Sequence, residues 1–269
     1  MRPPDFLAAI LSRKSERVEA AKQERSIEDV AAQAARVRAV SSPHALRRAL
    51  SREGEINVIA EFKRASPSKG LISDRASPGE AARSYYEGGA AAVSVLTEED
   101  SFLGSLDDLR AIRAAVSLPV LRKDFIFDEY QLYESALAGA DALLLIVAAL
   151  DDDRLHRLRA VTEEELGMDA LVEVHTEEEL QRAHQSGATL VGVNNRNLHT
   201  FEVSLEVSVS VAAKAPPGLL LVSESGLRSA DDIERLRALG YCGFLIGEQL
   251  MRANEPAEEL RMLVRSGKG

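Results

Sequence analysis

The sequence predicts an α/β fold, a closed (β/α)8 barrel of the TIM type with extra N-terminal helices, on three observations. Short apolar runs alternate with amphipathic helical stretches from Ile56 to the C-terminus, the order expected of parallel strands joined by helical crossovers. The runs are almost continuous in Val, Ile, Leu and Ala, which marks strands buried on both faces. Glycine recurs once every two βα units ahead of an apolar run, at Gly89, Gly139, Gly187 and Gly240, the place of a helix C-cap. Eight such units favour a closed barrel over an open doubly wound sheet. No G-x-G-x-x-G follows the first strand, which weakens a dinucleotide-binding alternative.

The elements follow in order. Residues 1–269 read as one domain, a helical extension over 1–55 and the barrel proper over 56–269. Phe6, Leu7, Ile10 and Leu11 share one helical face. A second helix starts at Ser26, where SIED offers an N-cap and acidic first-turn residues, and carries Val30, Ala34 and Val37. PHALRRAL supplies a third, short helix. The strands are expected at 57–63, 91–97, 119–125, 142–149, 170–175, 190–195, 219–225 and 243–247. Helices over 78–87, 105–116, 129–138, 176–186 and 229–239 are among those that separate them.

Composition narrows the function. A formal net charge of −10 argues against nucleic acid or an anionic membrane as the main partner. An anionic substrate then needs a local cluster of cations or backbone N–H groups. Cys242 is the sole cysteine, so no internal disulfide forms and a cytoplasmic setting fits. No targeting segment is visible, and the most apolar run, 142–150, is about half the ~20 residues a membrane span requires.

In such barrels the polar residues at the C-terminal strand ends build the site. Glu61 and Lys63 end the first strand on one face, Lys123 the third and Glu173 the fifth. Asn194, Asn195 and Arg196 follow on the sixth, Glu224-Ser225-Gly226 on the seventh and Gly247-Glu248 on the eighth. Buried charges must pair or be functional. Glu61–Lys63 and Lys123–Glu173 read either as ordinary salt bridges of the mouth or as catalytic groups. The turns after strands seven and eight, Ser225-Gly226 and Gly247-Glu248, suit a phosphate held by backbone N–H groups. The SPSKG turn at 66–70 can add a hydroxyl and a cation. His175 is read as a structural hydrogen-bond partner rather than half of a metal pair, since no third ligand stands at recognisable spacing. The acidic runs 98–100, 151–153 and 163–165 are read as solvated loops or helix starts. Arg64 alternates away from Lys63 and stays outside the site.

Five segments, AEFKRASPSKG, LRKDFIFDEYQ, ALVEVHTEEEL, VGVNNRNL and VSESGL, in this order and on these strands, resemble the indole-3-glycerol phosphate synthase family over nearly the whole chain. The resemblance implies a decarboxylating, dehydrating ring closure of 1-(2-carboxyphenylamino)-1-deoxyribulose 5-phosphate in tryptophan biosynthesis, with no cofactor and no metal. It implies Lys123 as general acid on the ketone oxygen, and Lys63 as carboxylate binder or second acid. Glu173 then stabilises or deprotonates at the amine, and Glu61 assists dehydration. Asn194 and Arg196 lie near the anthranilate carboxylate and ring, Glu224 and Ser225 form a polar pair, and Ser66, Gly226 and Gly247 hold phosphate. Glu248 stands where some members carry Ser, and is expected to point away from the phosphate. The N-terminal helices help cover the mouth in the family, which brings Phe6 and Leu7 near the substrate without placing them in the site. A small phosphorylated substrate is the expected partner; a monomer is the expected state, with an oligomer as the alternative the sequence leaves open. A phosphoribosylanthranilate isomerase would need a catalytic Cys elsewhere than Cys242; a Schiff-base aldolase or a non-catalytic phosphate-binding barrel remain rival readings.

Overall fold

A computed structural model of the chain describes residues 6–265 apart from 53, 74 and 199. The outermost parts of the expected extension and barrel, 1–5 and 266–269, lie outside the described residues. Eight parallel strands close into a barrel. They are β1 (Asn57–Phe62), β2 (Ala92–Leu96), β3 (Val120–Lys123), β4 (Ala142–Ile146), β5 (Asp169–Val174), β6 (Leu190–Asn194), β7 (Leu220–Glu224) and β8 (Tyr241–Ile246). Each strand pairs with the next in sequence, and β1 closes the ring on β8 with Ile59 opposite Leu245. Side chains alternate in and out. Ile59, Leu121, Leu171 and Val222 fill the barrel interior, whereas Val58, Val93, Val172 and Phe244 pack outward against the helices.

The three N-terminal helices wrap the barrel from one mouth to the other. Helix α1 (Phe6–Glu24) lies against the C-terminal mouth, where Lys14 Nζ reaches Asp124 Oδ1 at 2.7 Å and Glu99 Oε2 at 2.9 Å. Helix α2 (Ile27–Ala39) starts at the Ser26 cap expected from SIED, whose hydroxyl accepts from Asp29 N. Helix α3 (Ala45–Leu50) plugs the N-terminal mouth. Its entry is held by Asp169, which accepts from Arg47 N at 2.9 Å and contacts His44 Nδ1 at 3.2 Å. Its exit is held by Asn57 Nδ2, which donates to Leu50 O and Cys242 O.

The outer helices begin and end where local chemistry dictates. Ser77 opens α4 (Pro78–Gly88) with a capping box to Glu80, and Ser105 caps α5 (Leu106–Ala115) by accepting from Asp108 N. Gly89 ends α4, and Gly139 ends α6 (Glu129–Ala138), with φ of 89° and 93°, the left-handed backbone a helix C-cap requires. The strand ends are shorter than the apolar runs suggest. Val147–Ala149, expected as the end of a strand, curls into a 3-10 turn. The acidic run 151–153 opens α7 (Asp152–Ala160), with Asp151 as its N-cap. Among the described residues no helix is long and apolar enough to cross a membrane.

Leu50 is fully buried, and its methyl groups face Gly243 of β8. We expect Leu50→Ala to cost about 2–5 kcal/mol, because the plug cannot collapse into the rigid barrel floor. Urea unfolding checks this.

Candidate active site

The charged residues of the barrel mouth form a layer whose origin is the strand register. Two residues beyond Ile59, Leu121, Leu171 and Val222, the odd strands place Glu61, Lys123, Glu173 and Glu224. Barrel interiors stack in layers of four drawn from alternate strands, so an apolar layer supports a charged one. All three glutamates are at most 2% exposed. The even strands leave room for them by omitting side chains. A Cβ on Gly192 of β6 would collide with Glu224 Oε1, and one on Gly247, just past β8, would lie 2.5 Å from Glu61 Oε1.

Lys123 Nζ stands between two of these carboxylates, 2.9 Å from Glu173 Oε2 and 2.9 Å from Glu224 Oε2. Lys63 Nζ pairs with Glu61 Oε1 at 2.6 Å. Burial disfavours the Lys123 ammonium, but Glu173, Glu224 and Glu61 outweigh it and raise its pKa. The two glutamates separate. Burial alone would raise Glu173, yet Lys123, His175 and a hydrogen bond from Asn194 pull its pKa down. Burial dominates at Glu224, with the Glu173 charge opposing ionisation, and its pKa is pushed up to about 7. One carboxylate is thus held ionised beside another poised to exchange a proton near neutrality, the arrangement acid–base chemistry needs.

The eleven residues given a role from the sequence all line one cavity of about 770 Å³, whereas Asn195 does not. Glu61, Lys63, Lys123, Glu173, Asn194 and Glu224 form its floor; Arg196, Ser66, Ser225, Gly226 and Gly247 lie along its sides. Ser66 and Gly70 are paired across the SPSKG turn, with Gly70 at φ 63°. Ser225 and Gly226 are both left-handed, at φ 65° and 84°. That conformation is costly for serine and persists because its surroundings impose it. Asn195 does so: its Nδ2 donates to Ser223 Oγ, Glu224 O and Ser225 O. Asn195 stands in the NNRN segment, but nothing in its type separates it from Asn194; its cross-strand role needs the fold.

The apolar wall has no signature in the sequence. Phe6, Phe102, Phe125, Leu144 and Ile146 line the cavity, and Phe6 meets Phe201 edge-on at 5.4 Å. Phe6, expected near the substrate, lies at the rim of the cavity on α1, the helix that Lys14 anchors to Asp124. Behind Lys123, Asp124 receives Thr97 Oγ1 at 2.6 Å and Arg122 Nη2 at 3.0 Å. Burial would raise Asp124, yet Arg122 and Lys14 pull it down to about 2.

Other expectations fare variously. Arg64 turns away and pairs with Asp108. Glu248 is tied to Arg252 Nε at 3.1 Å, on the cavity edge. Cys242 packs at the barrel floor. Reading 98–100 as solvated needs correction at Glu98, which is 1% exposed and accepts N–H groups of Asp100, Ser101 and Phe102. Similarly, Glu163 is buried against Arg159 Nη1 at 2.9 Å. Both carboxylates are inside because a loop and a guanidinium there need an acceptor. Among the described residues no group of three or more His, Cys, Asp or Glu is arranged to hold a metal ion.

The fold and the layer define a (β/α)8-barrel protein with a buried lysine–carboxylate cluster at the C-terminal mouth. The profile of the indole-3-glycerol phosphate synthase family matches residues 7–263, and the chain belongs to that family. An indole-3-glycerol phosphate synthase of Carboxydothermus hydrogenoformans is 47% identical over 263 residues, covering 96% of this chain and 99% of its own length. One from Polaromonas naphthalenivorans is 50% identical over 210 residues, covering 78% and 80%. Two solved structures share the fold alone. A KGPDC of Streptococcus mutans has a TM-score of 0.62 at 14% identity, covering 79% of this chain and 97% of its own. A thiamine phosphate pyrophosphorylase of Pyrococcus furiosus has a TM-score of 0.58 at 14% identity, covering 80% and 96%.

A raised carboxyl pKa means that the folded protein binds that proton more tightly than the unfolded chain. The stabilisation from Glu224 is therefore complete below the ordinary carboxylate range and is lost as pH rises through about 7. In a 13C NMR titration we expect one glutamate carboxyl to titrate near neutrality, to vanish in Glu224→Gln, and to move higher in Lys123→Met, which deletes the charge that holds it down.

Proposed function

We propose that this chain closes the indole ring of 1-(2-carboxyphenylamino)-1-deoxyribulose 5-phosphate, releasing carbon dioxide and water and leaving indole-3-glycerol phosphate. Membership of the family supports the reaction, and one observation supports the mechanism: Lys123 bridges Glu173 and Glu224 on the floor of a cavity large enough for the substrate. A cytoplasmic setting belongs to the same reading.

The chemistry follows from the order of groups along the cavity. Arg196, with its neighbour Asn194, meets the anthranilate carboxylate and orients the ring. Phe125, Leu144 and Ile146 form the apolar surface on which the ring rests. Ser66 and the backbone N–H groups at Gly226 and Gly247 take the phosphate at the other end, where glycine allows close approach. The extended substrate is bent so that its carboxylate-bearing ring carbon faces the ribulose ketone.

Lys123 donates a proton to the ketone oxygen as the carbon–carbon bond forms. Its raised pKa keeps it charged until an alkoxide, a far stronger base, develops beside it. Glu173, ionised at neutral pH, stabilises the positive charge that grows on the aryl nitrogen. Carbon dioxide then departs, returning its bonding pair to the ring and restoring aromaticity. In the second phase the new hydroxyl leaves as water, protonated by Lys63 with Glu61 beside it. A carbon-bound proton is lost to complete the indole. Glu224, with its carboxyl poised near neutrality, tunes Lys123, and Ser225 fixes the strand end that carries it.

A fluorescence assay for the indole product tests this directly. Lys123→Ala should lower the rate about 10²–10⁴-fold. Unchanged turnover in that variant, or a borohydride-trapped lysine adduct with substrate, would overturn the assignment.

A further inference from the structure

Decarboxylation sets a proton demand on the catalytic layer. In the proposed reaction the ketone oxygen gains one proton, the departing hydroxyl gains another, and one carbon-bound proton is released. The carboxylate leaves as neutral carbon dioxide. Each turnover therefore draws one net proton from solvent, and Lys123 must be recharged after giving up its own. Glu173 and Glu224 are 1% exposed, and Lys123, with 14% of its side chain exposed, opens only onto the cavity that the substrate fills during turnover.

On that reading of the reaction, we propose that His175, held by Glu179, is a relay that returns the proton from the protein rim through Glu173 to Lys123. Glu173 and His175 are two apart at the end of β5, so both project to the same side. His175 Nε2 lies 3.4 Å from Glu173 Oε1, and the other oxygen of Glu173 contacts Lys123 Nζ at 2.9 Å. The second ring nitrogen, Nδ1, lies 3.2 Å from Glu179 Oε2 at the start of α8 (Glu177–Gln185). Side-chain exposure rises along this series, from 2% at Glu173 to 12% at His175 and 18% at Glu179. This branch runs from the buried Glu173 carboxylate to the surface, apart from the cavity onto which Lys123 opens.

The ring is chemically committed to carrying a proton. A neutral imidazole has a single N–H, and here a carboxylate faces each nitrogen. One nitrogen would then set a lone pair against a carboxylate, unless the ring is an imidazolium or one carboxyl is protonated. Either way the set stores an exchangeable proton near neutral pH. The charged groups that face His175 are Glu173 on its own strand, Glu179 on α8 and, farther off, Glu224 on β7. Burial alone would lower the imidazole pKa, but these carboxylates outweigh it and raise it. Nε2 is buried without a full hydrogen bond, so its proton is aimed at Glu173 but not locked there. A purely structural role would not need the ring, since the backbone N–H of His175 already holds Glu179 at 2.7 Å.

The transfer balances. Lys123 gives its proton to the ketone oxygen, Glu173 passes one from His175 Nε2 to the Lys123 amine, and His175 regains one from solvent along Glu179. His175 touches no substrate and acts through Glu173, as a positioning residue.

The test compares the unaltered protein with His175→Gln, His175→Ala and Glu179→Gln, following indole fluorescence across pH. His175→Gln should keep KM within about twofold and lose at least about tenfold in kcat, the scale of a missing proton carrier. Free imidazole should restore His175→Ala turnover saturably and leave the unaltered protein unchanged. The alkaline decline of kcat should disappear in His175→Gln and shift to lower pH in Glu179→Gln, because removing the Glu179 charge lowers the imidazole pKa. Full kcat in His175→Gln, or a loss insensitive to imidazole and to pH, overturns the relay while leaving the reaction standing. Failure of the unaltered protein to form product overturns the reaction and the relay with it.

Discussion

The ammonium of Lys123 and the two buried carboxylates that share it are the interaction on which the rest of the structure depends. A lone buried ion costs several kcal/mol, and a pair recovers that only with good geometry and satisfied neighbours. Three glutamates and one lysine in a single layer would leave net negative charge. Lys63 on Glu61 offsets part of it. What remains falls on Glu224, whose raised pKa lets it take up a proton instead of standing as a third buried anion. The site is therefore set up by a balance in which the surplus charge is settled by protonation.

The barrel makes that balance attainable. Odd strands lift all four groups to one height, and glycines in or just past the even strands leave the space that the carboxylates occupy. Below them, apolar side chains and the α3 plug exclude water from the floor. Above, α1 is pinned by Lys14 to Asp124, the residue next to Lys123, so the N-terminal helix and the end of β3 share one buried network. That network includes Arg122 and Thr97, and it fixes the end of β3 from the outside of the barrel while Glu173 and Glu224 fix it from the inside.

Much of this is legible in the sequence, for identifiable reasons. Strands buried on both faces read as continuous apolar runs, so Glu61, Lys123, Glu173 and Glu224 stand out as charges at their ends. Gly89 and Gly139 mark helix ends because left-handed backbone there favours glycine. What stays hidden needs neighbours from elsewhere in the chain. Gly192 looks like any strand glycine until β7 sets Glu224 against it. Glu98 looks like part of a solvated acidic run, yet it is the internal acceptor of its own loop. Val147–Ala149 has strand composition but curls into a 3-10 turn beyond the last paired residue, Ile146. The packing of Phe6 against Phe201 and the ion pairs of Lys14 bring α1 to the mouth through contacts that no local pattern discloses.

The central claim, that Lys123 and Glu224 depend on each other as a buried pair, is most directly tested by a double-mutant cycle in denaturant at pH 8, above the Glu224 pKa of about 7. Lys123→Met alone should destabilise the protein by about 3–5 kcal/mol, since it leaves carboxylates buried without a cation. Combining it with Glu224→Gln should recover a large part of that loss, a strong coupling between the two positions. If the two substitutions simply add, Lys123 and Glu224 are not held as a pair, and the charge balance does not organise the site.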